Sequence, residues 1–83
     1  MKISIIIPVF NEEKTVIKIL KYIKETKNKI QNEFEIIVID DGSTDNTNNL
    51  LNQHKDIYDK LINININQGK GNAINEGFKN STV

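Results

Sequence analysis

Two runs of β-branched residues constrain the fold of this 83-residue chain more than any other feature of its sequence. The first run is Ile3–Val9 and the second is Phe34–Ile39. A strand with one face in water alternates apolar and polar residues, whereas a strand buried on both faces is almost continuously apolar. Both runs therefore predict strands inside a parallel sheet that helices cover.

A helical pattern follows each of these strands. We expect Asn11 to cap the first helix, with Glu12 and Glu13 in its first turn, where the helix dipole favours negative charge. A second and weaker helix follows the second run, with Ser43 or Thr44 as its cap. The apolar stripe of the first helix consists of Val16, Ile19, Leu20 and Ile23.

The last part of the chain repeats this order. Leu61–Ile66 alternates apolar and polar residues and predicts a third strand. A turn at Asn67–Gly71 leads into a third helix, whose stripe contains Ala73, Ile74, Gly77 and Phe78. Strands separated by helices pair in parallel through right-handed crossovers. We therefore predict one α/β domain over residues 1–83, a βαβαβα half of a doubly wound, mainly parallel sheet.

Composition excludes several classes of function. The chain has no cysteine, so it has no disulfide, thiolate metal site or cysteine nucleophile. Eleven basic residues balance eleven acidic ones, which gives no electrostatic basis for binding nucleic acid. The apolar N-terminal run is too short to span a bilayer and is followed by no leader cleavage site. We therefore expect a cytoplasmic chain.

Three segments that carry chemically useful residues follow the three predicted strands. They are Pro8–Glu12, Asp40–Ser43 and Gly69–Gly71. Ligands of open parallel sheets bind beyond the carboxyl ends of the strands. The topology therefore brings these segments together at the expected position of a ligand site.

The residues alone leave the role of each segment open. Asp40 and Asp41 suit hydrogen bonds from a ribose hydroxyl or a base N–H, or a divalent cation, but one of them also suits a helix cap beside a turn at Gly42. Phe10 suits a nucleobase contact or the core. Lys70 and its turn suit a phosphate or a simple connection.

Taken together, the three segments resemble the N-terminal part of family 2 glycosyltransferases, the inverting GT-A enzymes with a Rossmann-like nucleotide-binding half. That family includes dolichyl-phosphate mannose synthases and bacterial polysaccharide transferases. The matching segments are SIIIPVFNEEKTV (4–16), EIIVIDDGSTDNT (35–47) and NQGKGNAINEGF (67–78). The resemblance implies a pocket for a UDP- or GDP-sugar, from which the sugar passes to an acceptor that the sequence does not identify.

The resemblance also implies which residues line this pocket. Pro8, Phe10 and Glu12 match the residues that contact the base and ribose. The aromatic residue is more often Tyr in the family, so Phe10 keeps the ring without the hydroxyl.

The remaining implied contacts come from the second and third segments. Asp41 matches the carboxylate that hydrogen-bonds the base or ribose, Ile39 packs nearby, and Asp40 is the second member of the pair. Lys70 is implied to approach the diphosphate.

The family pattern is incomplete in residues 1–83. Such enzymes carry a D-x-D motif after a fourth strand, which holds Mg²⁺ or Mn²⁺, and a carboxylate base further on. Neither is present here, so we expect no catalytic or metal-ligating residue in this chain. We expect a truncated and inactive part of a longer enzyme, which supplies the metal site, any membrane contact and the catalytic base.

Two other functions remain open at this point. One is a free-standing α/β domain that binds a nucleotide or a protein without turnover. The other is a phosphoacceptor receiver domain, although receivers place their acidic pair after the first strand. An exposed sheet edge would also favour self-association, which a net charge of zero does not oppose.

Overall fold

The computed structural model describes residues 2–30, 33–64 and 70–81. Strands and helices alternate in this part of the chain, as the sequence predicts. The elements are β1 (Lys2–Val9), α1 (Val16–Asn28), β2 (Glu33–Asp41), α2 (Thr47–Gln53), a 3₁₀ turn (Lys55–Ile57), β3 (Lys60–Ile64) and α3 (Lys70–Asn80).

The strands form one parallel sheet in the order β1-β2-β3, with β2 in the centre. In the register of the sheet, Pro8 lies opposite Ile39, and Asp41 lies opposite Ile64. The central position of β2 explains its apolar run, because the residues from Ile36 to Ile39 are at most 1% exposed. The predicted parallel α/β architecture is confirmed.

Helices cover both faces of the sheet. α1 and α2 pack on the face that contains Ile36 and Val38, where Leu20 of α1 and Leu51 of α2 are fully buried. Ile37 and Ile39 point to the opposite face because side chains alternate along a strand. α3 covers that second face, where its Gly77 lies against Ile6 of β1.

The end of α3 is attached to the amino end of the sheet. Lys60 Nζ donates to the carbonyl oxygen of Asn80 at 2.7 Å, and the hydroxyls of Ser4 and Ser81 share a hydrogen bond of 2.6 Å. These contacts fix α3 antiparallel to the strands. The first residue of α3, Lys70, therefore faces the carboxyl end of the sheet.

The predicted helix starts are wrong. α1 begins at Val16, so Asn11 is not its cap, and Glu12 and Glu13 precede its first turn. α2 begins at Thr47 and is not capped by the residues expected for that role. In both loops the polar groups form hydrogen bonds across to the other loop, which leaves them unavailable as local helix caps.

Two further sequence predictions concern residues that lie partly outside the described part of the chain. β3 ends at Ile64, and the last two residues of the predicted strand lie outside the described residues. The turn residues at 67–69 lie outside them as well. Within the described part, no helix has the length and apolar character needed to cross a membrane.

Candidate functional site

The carboxyl end of the sheet brings together residues from all three strands. Pro8 of β1 lies opposite Ile39 of β2, and Asp41 follows on the same face of β2 as Ile39. This is the face that α3 covers. Three of the predicted pocket residues therefore share one face of the sheet at the end where parallel sheets bind ligands.

The two adjacent aspartates point to opposite faces of the sheet. Each is only 3% exposed, and alternation along β2 places Asp41 on the α3 side and Asp40 on the α2 side. A buried carboxylate requires hydrogen-bond partners, because its desolvation is costly. Asp40 and Asp41 consequently have different surroundings and cannot act as one pair of metal ligands on a single face.

Both oxygens of Asp40 accept hydrogen bonds from the protein. Oδ1 accepts from the backbone N–H of Ser43 at 3.0 Å, and Oδ2 accepts from Nδ2 of Asn48 at 2.9 Å. The chain reverses between these groups at Gly42, whose φ of 76° lies in the left-handed region that favours glycine. Asp40 therefore closes the turn after β2 and does not cap α2, whose N-cap residue is Asn46.

A cleft of about 480 Å³ opens beside Asp40. Its size falls in the range of small-molecule pockets, roughly 300–1,000 Å³. Asn48 donates hydrogen bonds to both Asp40 and Asn63, and so joins α2 to the end of β3 in the wall of the cleft. The described residues that line the cleft are Asp40, Gly42, Ser43, Thr44, Asn48, Asn63 and Ile64.

The loop after β1 and the loop after β2 are joined through Asn11. Its backbone N–H donates to Ser43 Oγ at 2.9 Å, and its Oδ1 accepts from the backbone N–H groups of Thr44 at 2.7 Å and Asp45 at 3.2 Å. Asn11 has a φ of 50°, a left-handed conformation that Asn tolerates better than most residues. The side chain of Asn11 thus joins the two loops by accepting hydrogen bonds that a backbone carbonyl would otherwise have to accept.

A second set of hydrogen bonds extends this junction. The backbone N–H of Glu12 donates to Oγ1 of the fully buried Thr47 at 2.9 Å. The backbone N–H of Glu13 donates to Asp45 Oδ2, and Glu13 Oε2 accepts from the backbone N–H of Asn46, both at 3.3 Å. The two loops therefore form one hydrogen-bonded unit beyond the ends of β1 and β2.

This unit changes the acidity of Asp45. Desolvation by burial raises the pKa of its carboxyl, but hydrogen bonds from the hydroxyl and backbone N–H of Thr47 and from the backbone N–H of Glu13 have the larger combined effect. The pKa of Asp45 therefore lies below the ordinary value for a carboxyl group. The charge is retained because it accepts hydrogen bonds that hold the two loops together.

The other predicted site residues lie around this unit. Phe10 is 41% exposed, so it belongs to the surface and not to the core. Glu12 is half-buried and is held by its backbone, which contacts Thr47 and the start of α1. Lys70 is the first residue of α3, and its side chain lies outside what the structure describes.

Sequence reasoning did not identify Asn11, Asn48 and Asn63 as site residues. Asn48 and Asn63 line the cleft, and Asn11 holds the loop beside it. Position was the available signal for Asn11, which follows the first predicted strand, but not for Asn63, which lies inside the predicted strand Leu61–Ile66 and near the end of the observed β3. Their contacts were not predictable, because each joins segments that are distant in the sequence.

Within residues 2–30, 33–64 and 70–81, no three or more His, Asp or Glu side chains lie close enough together to hold a metal ion. Asp40, whose oxygens are both engaged by Ser43 and Asn48, and Asp41, on the other face, do not form a joint site. The described residues therefore do not fit a complete divalent-metal site.

Comparison with known protein families gives one clear match. The family described as "Glycosyl transferase family 2" matches residues 4–83 of the chain. This range includes most of β1, the loop junction, the cleft and α3.

Individual relatives support the same assignment. The chain is 36% identical over 80 residues to an undecaprenyl-phosphate 4-deoxy-4-formamido-L-arabinose transferase of Proteus mirabilis (strain HI4320), which covers 93% of this chain and 24% of that protein. It is 37% identical over 81 residues to a poly-beta-1,6-N-acetyl-D-glucosamine synthase of Staphylococcus epidermidis, with 96% and 19% covered. The chain thus spans a quarter or less of the length of these curated relatives.

A solved structure shows the same fold. The crystal structure of S. aureus TarS, residues 1–349, superposes with a TM-score of 0.80 at 29% identity. The match covers 98% of this chain and 24% of that one.

Proposed function

This chain belongs to glycosyl transferase family 2, and we propose that it forms the nucleotide-sugar-binding part of an inverting glycosyltransferase. The donor is a UDP- or GDP-sugar, and the acceptor binds to other parts of a longer enzyme. The observation that carries this proposal is the convergence of Pro8, Ile39 and Asp41 on one face at the carboxyl end of a parallel sheet.

The exposed ring of Phe10 and the carboxylate of Asp41 suit the two ends of a nucleoside. An aromatic face stacks on a base, and a carboxylate accepts hydrogen bonds from a base N–H or a ribose hydroxyl. Pro8 lies opposite the fully buried Ile39, which packs beneath this end of the sheet, and Glu12 follows Phe10 in the same loop. These contacts bind the nucleoside and orient the rest of the donor.

Asp40 acts from the opposite face. Because Ser43 and Asn48 already occupy both of its oxygens, we assign it the support of the turn that presents Gly42 and Ser43 to the cleft. Lys70 begins α3 at the same end of the sheet, and a lysine at a helix start suits the negative charge of a diphosphate. Nucleoside and diphosphate would thus contact successive strand ends.

Sugar transfer needs two further components. A divalent cation, Mg²⁺ or Mn²⁺, neutralises the leaving diphosphate when bound, and a carboxylate base deprotonates the acceptor hydroxyl. The described residues do not fit a complete site for the cation. We therefore propose that the longer enzyme supplies both components and that this chain binds the donor without transferring its sugar.

Calorimetric titration of the 83-residue chain with UDP and with GDP, each with and without Mn²⁺, tests this proposal. We expect one nucleotide to bind with a dissociation constant between micromolar and millimolar. Asp41→Asn should weaken that binding by about tenfold or more, because a hydrogen bond to a charged group is worth ~1.5–3 kcal/mol. Asp56→Asn, a change at an exposed position in the 3₁₀ turn, is the matched control. Absence of binding by both nucleotides would overturn the proposal.

A further inference from the structure

Two hydrogen bonds connect the loop that carries Phe10 to the carboxylate of Asp40. The backbone N–H of Asn11 donates to Ser43 Oγ at 2.9 Å, and the backbone N–H of Ser43 donates to Asp40 Oδ1 at 3.0 Å. Ser43 therefore contacts both loops, through its side chain on one side and its backbone on the other. A displacement of Asn11 would be transmitted to the turn beside the cleft.

The side chain of Asn11 strengthens this connection. Its Oδ1 accepts from two consecutive backbone N–H groups, those of Thr44 and Asp45, while its Nδ2 donates to Thr44 Oγ1 at 3.2 Å. These are bonds to residues more than thirty positions away in the chain, none of them to the helix that follows Asn11. Asn11 therefore holds one loop against the other and does not cap α1.

The backbone of Asn11 is adapted to the same role. A φ of 50° costs most side chains of order 1 kcal/mol, and such conformations persist where surrounding contacts fix them. This conformation turns the chain between Phe10, which is exposed, and Glu12, whose backbone N–H bonds to Thr47. The residues on both sides of Asn11 are thus oriented by it.

We propose that Asn11 is a positioning residue that holds the Phe10 and Glu12 side of the pocket at a fixed separation from the Asp40 turn, an inference that rests on the proposed function. Asn11 touches the other loop and not the ligand. Its contribution is preorganisation, since a pocket already held in its binding geometry loses less entropy on binding.

Asn11→Gly and Asn11→Asp distinguish the contribution of the backbone conformation from that of the side-chain hydrogen bonds. Glycine adopts the left-handed conformation without strain but removes every side-chain hydrogen bond. Aspartate keeps the oxygen that accepts from Thr44 and Asp45 but loses the Nδ2 donor and adds a charge beside Asp45. Lys21→Gly, at an exposed position in the middle of α1, lowers stability by about 1 kcal/mol through helix propensity and serves as the stability-matched control.

The first measurement is amide hydrogen exchange of the ligand-free chain by NMR. Asn11→Gly should accelerate exchange at the Ser43 N–H, which Asp40 holds, by about tenfold or more beyond the change in Lys21→Gly, because local opening then precedes global unfolding. Asn11→Asp should give an intermediate rate. Equal exchange at Ser43 in Asn11→Gly and Lys21→Gly would overturn the inference.

The second measurement is the dissociation constant of UDP and GDP for the same variants. Asn11→Gly should weaken binding of the preferred nucleotide by about tenfold, since the variant must order the two loops on binding, while Lys21→Gly leaves the affinity unchanged. Equal affinity in Asn11→Gly and wild type would also overturn the inference. If the wild type binds neither nucleotide, the proposed function fails, and exchange at Ser43 still decides whether Asn11 couples the loops.

Discussion

Gly77 of α3 lies so close to Ile6 of β1 that a Cβ atom on Gly77 would overlap Cγ2 of Ile6. Cγ2 is attached directly to the Cβ of Ile6, so it has little freedom to move. The absence of a side chain at position 77 therefore sets the distance between α3 and the sheet. This packing places the start of α3 at the carboxyl end of the strands.

Gly77→Ala is predicted to destabilise the chain. In an exposed helix the same change stabilises by about 1 kcal/mol, whereas overpacking here should cost ~1–3 kcal/mol. Thermal unfolding followed by circular dichroism shows whether Gly77→Ala raises or lowers the melting temperature. The same substitution in an Ile6→Ala background should become neutral or stabilising, because the contacted methyl groups are gone. A gain in stability from Gly77→Ala alone would contradict the packing.

Asp59 extends the pairing of β2 and β3, and its replacement tests that role. Its backbone N–H donates to the carbonyl oxygen of Ile36 at 2.9 Å, and its Oδ2 accepts from the Ile36 N–H at 2.7 Å. Asp59→Ala should destabilise by ~1–3 kcal/mol, because it leaves a buried N–H without an acceptor. Asp59→Asn keeps an acceptor and should cost less. Denaturant unfolding of both variants and the wild type gives the free energies of unfolding to compare.

The ion pair of the same aspartate supplies the control. Lys27 Nζ lies 3.5 Å from Asp59 Oδ2, and both side chains are partly exposed. Lys27→Ala should change stability by less than ~1 kcal/mol, as for other surface ion pairs. A larger effect from Lys27→Ala than from Asp59→Ala would show that charge, and not the hydrogen bond to Ile36, is the main contribution.

The lowered pKa of Asp45 predicts a pH-dependent stability. Its folded-state pKa lies below the unfolded value of about 3.9, so its contribution is present above the unfolded pKa and is lost as pH falls through the folded-state pKa. Asp45→Asn should therefore lower the melting temperature most above about pH 5, and the deficit should shrink in more acidic solution. Melting curves of both proteins between neutral and acidic pH test this. A deficit that is constant with pH would contradict the assigned cause.

Phe10 is predicted to affect nucleotide affinity more than stability. Its ring is 41% exposed, so Phe10→Ala should alter stability by roughly 0.5 kcal/mol or less. Loss of base stacking should weaken binding by ~1–3 kcal/mol, or roughly 5- to 150-fold, while Phe10→Tyr retains the ring. Calorimetric titration with the nucleotide measures the dissociation constant of each variant. Tyr22→Ala removes an aromatic side chain that is 71% exposed on α1 and should leave affinity unchanged.

Much of the fold was predictable because burial leaves a direct pattern in the sequence. The run at Phe34–Ile39 required a strand covered on both faces, and β2 is the central strand with helices on both sides. Val16 and Leu20 of the predicted stripe likewise lie on the buried side of α1, whereas Ile19 of the same stripe is 43% exposed. Such patterns are set by neighbouring residues in the chain, so they can be recognised without the structure.

The loop contacts were not predictable for the opposite reason. Asn is a residue type that commonly caps helices. The partners of Asn11, however, are Thr44 and Asp45 in another loop, and these long-range hydrogen bonds form in place of a local helix cap. Local propensity could not indicate this outcome, since Asx side chains serve either role. Likewise, the sequence left the roles of Asp40 and Asp41 open, and it is the pleat of β2 that separates the two carboxylates.

An NMR titration of the isotope-labelled chain with UDP and GDP shows directly whether this chain binds a nucleotide and where. We expect saturable shift changes for one nucleotide at Phe10, Asp41 and Ser43, beyond the ends of β1 and β2. Residues at the opposite end of the sheet, such as Ser4 and Glu35, should change little. Unchanged spectra at millimolar concentrations of both nucleotides, or changes confined to that opposite end, would contradict this expectation.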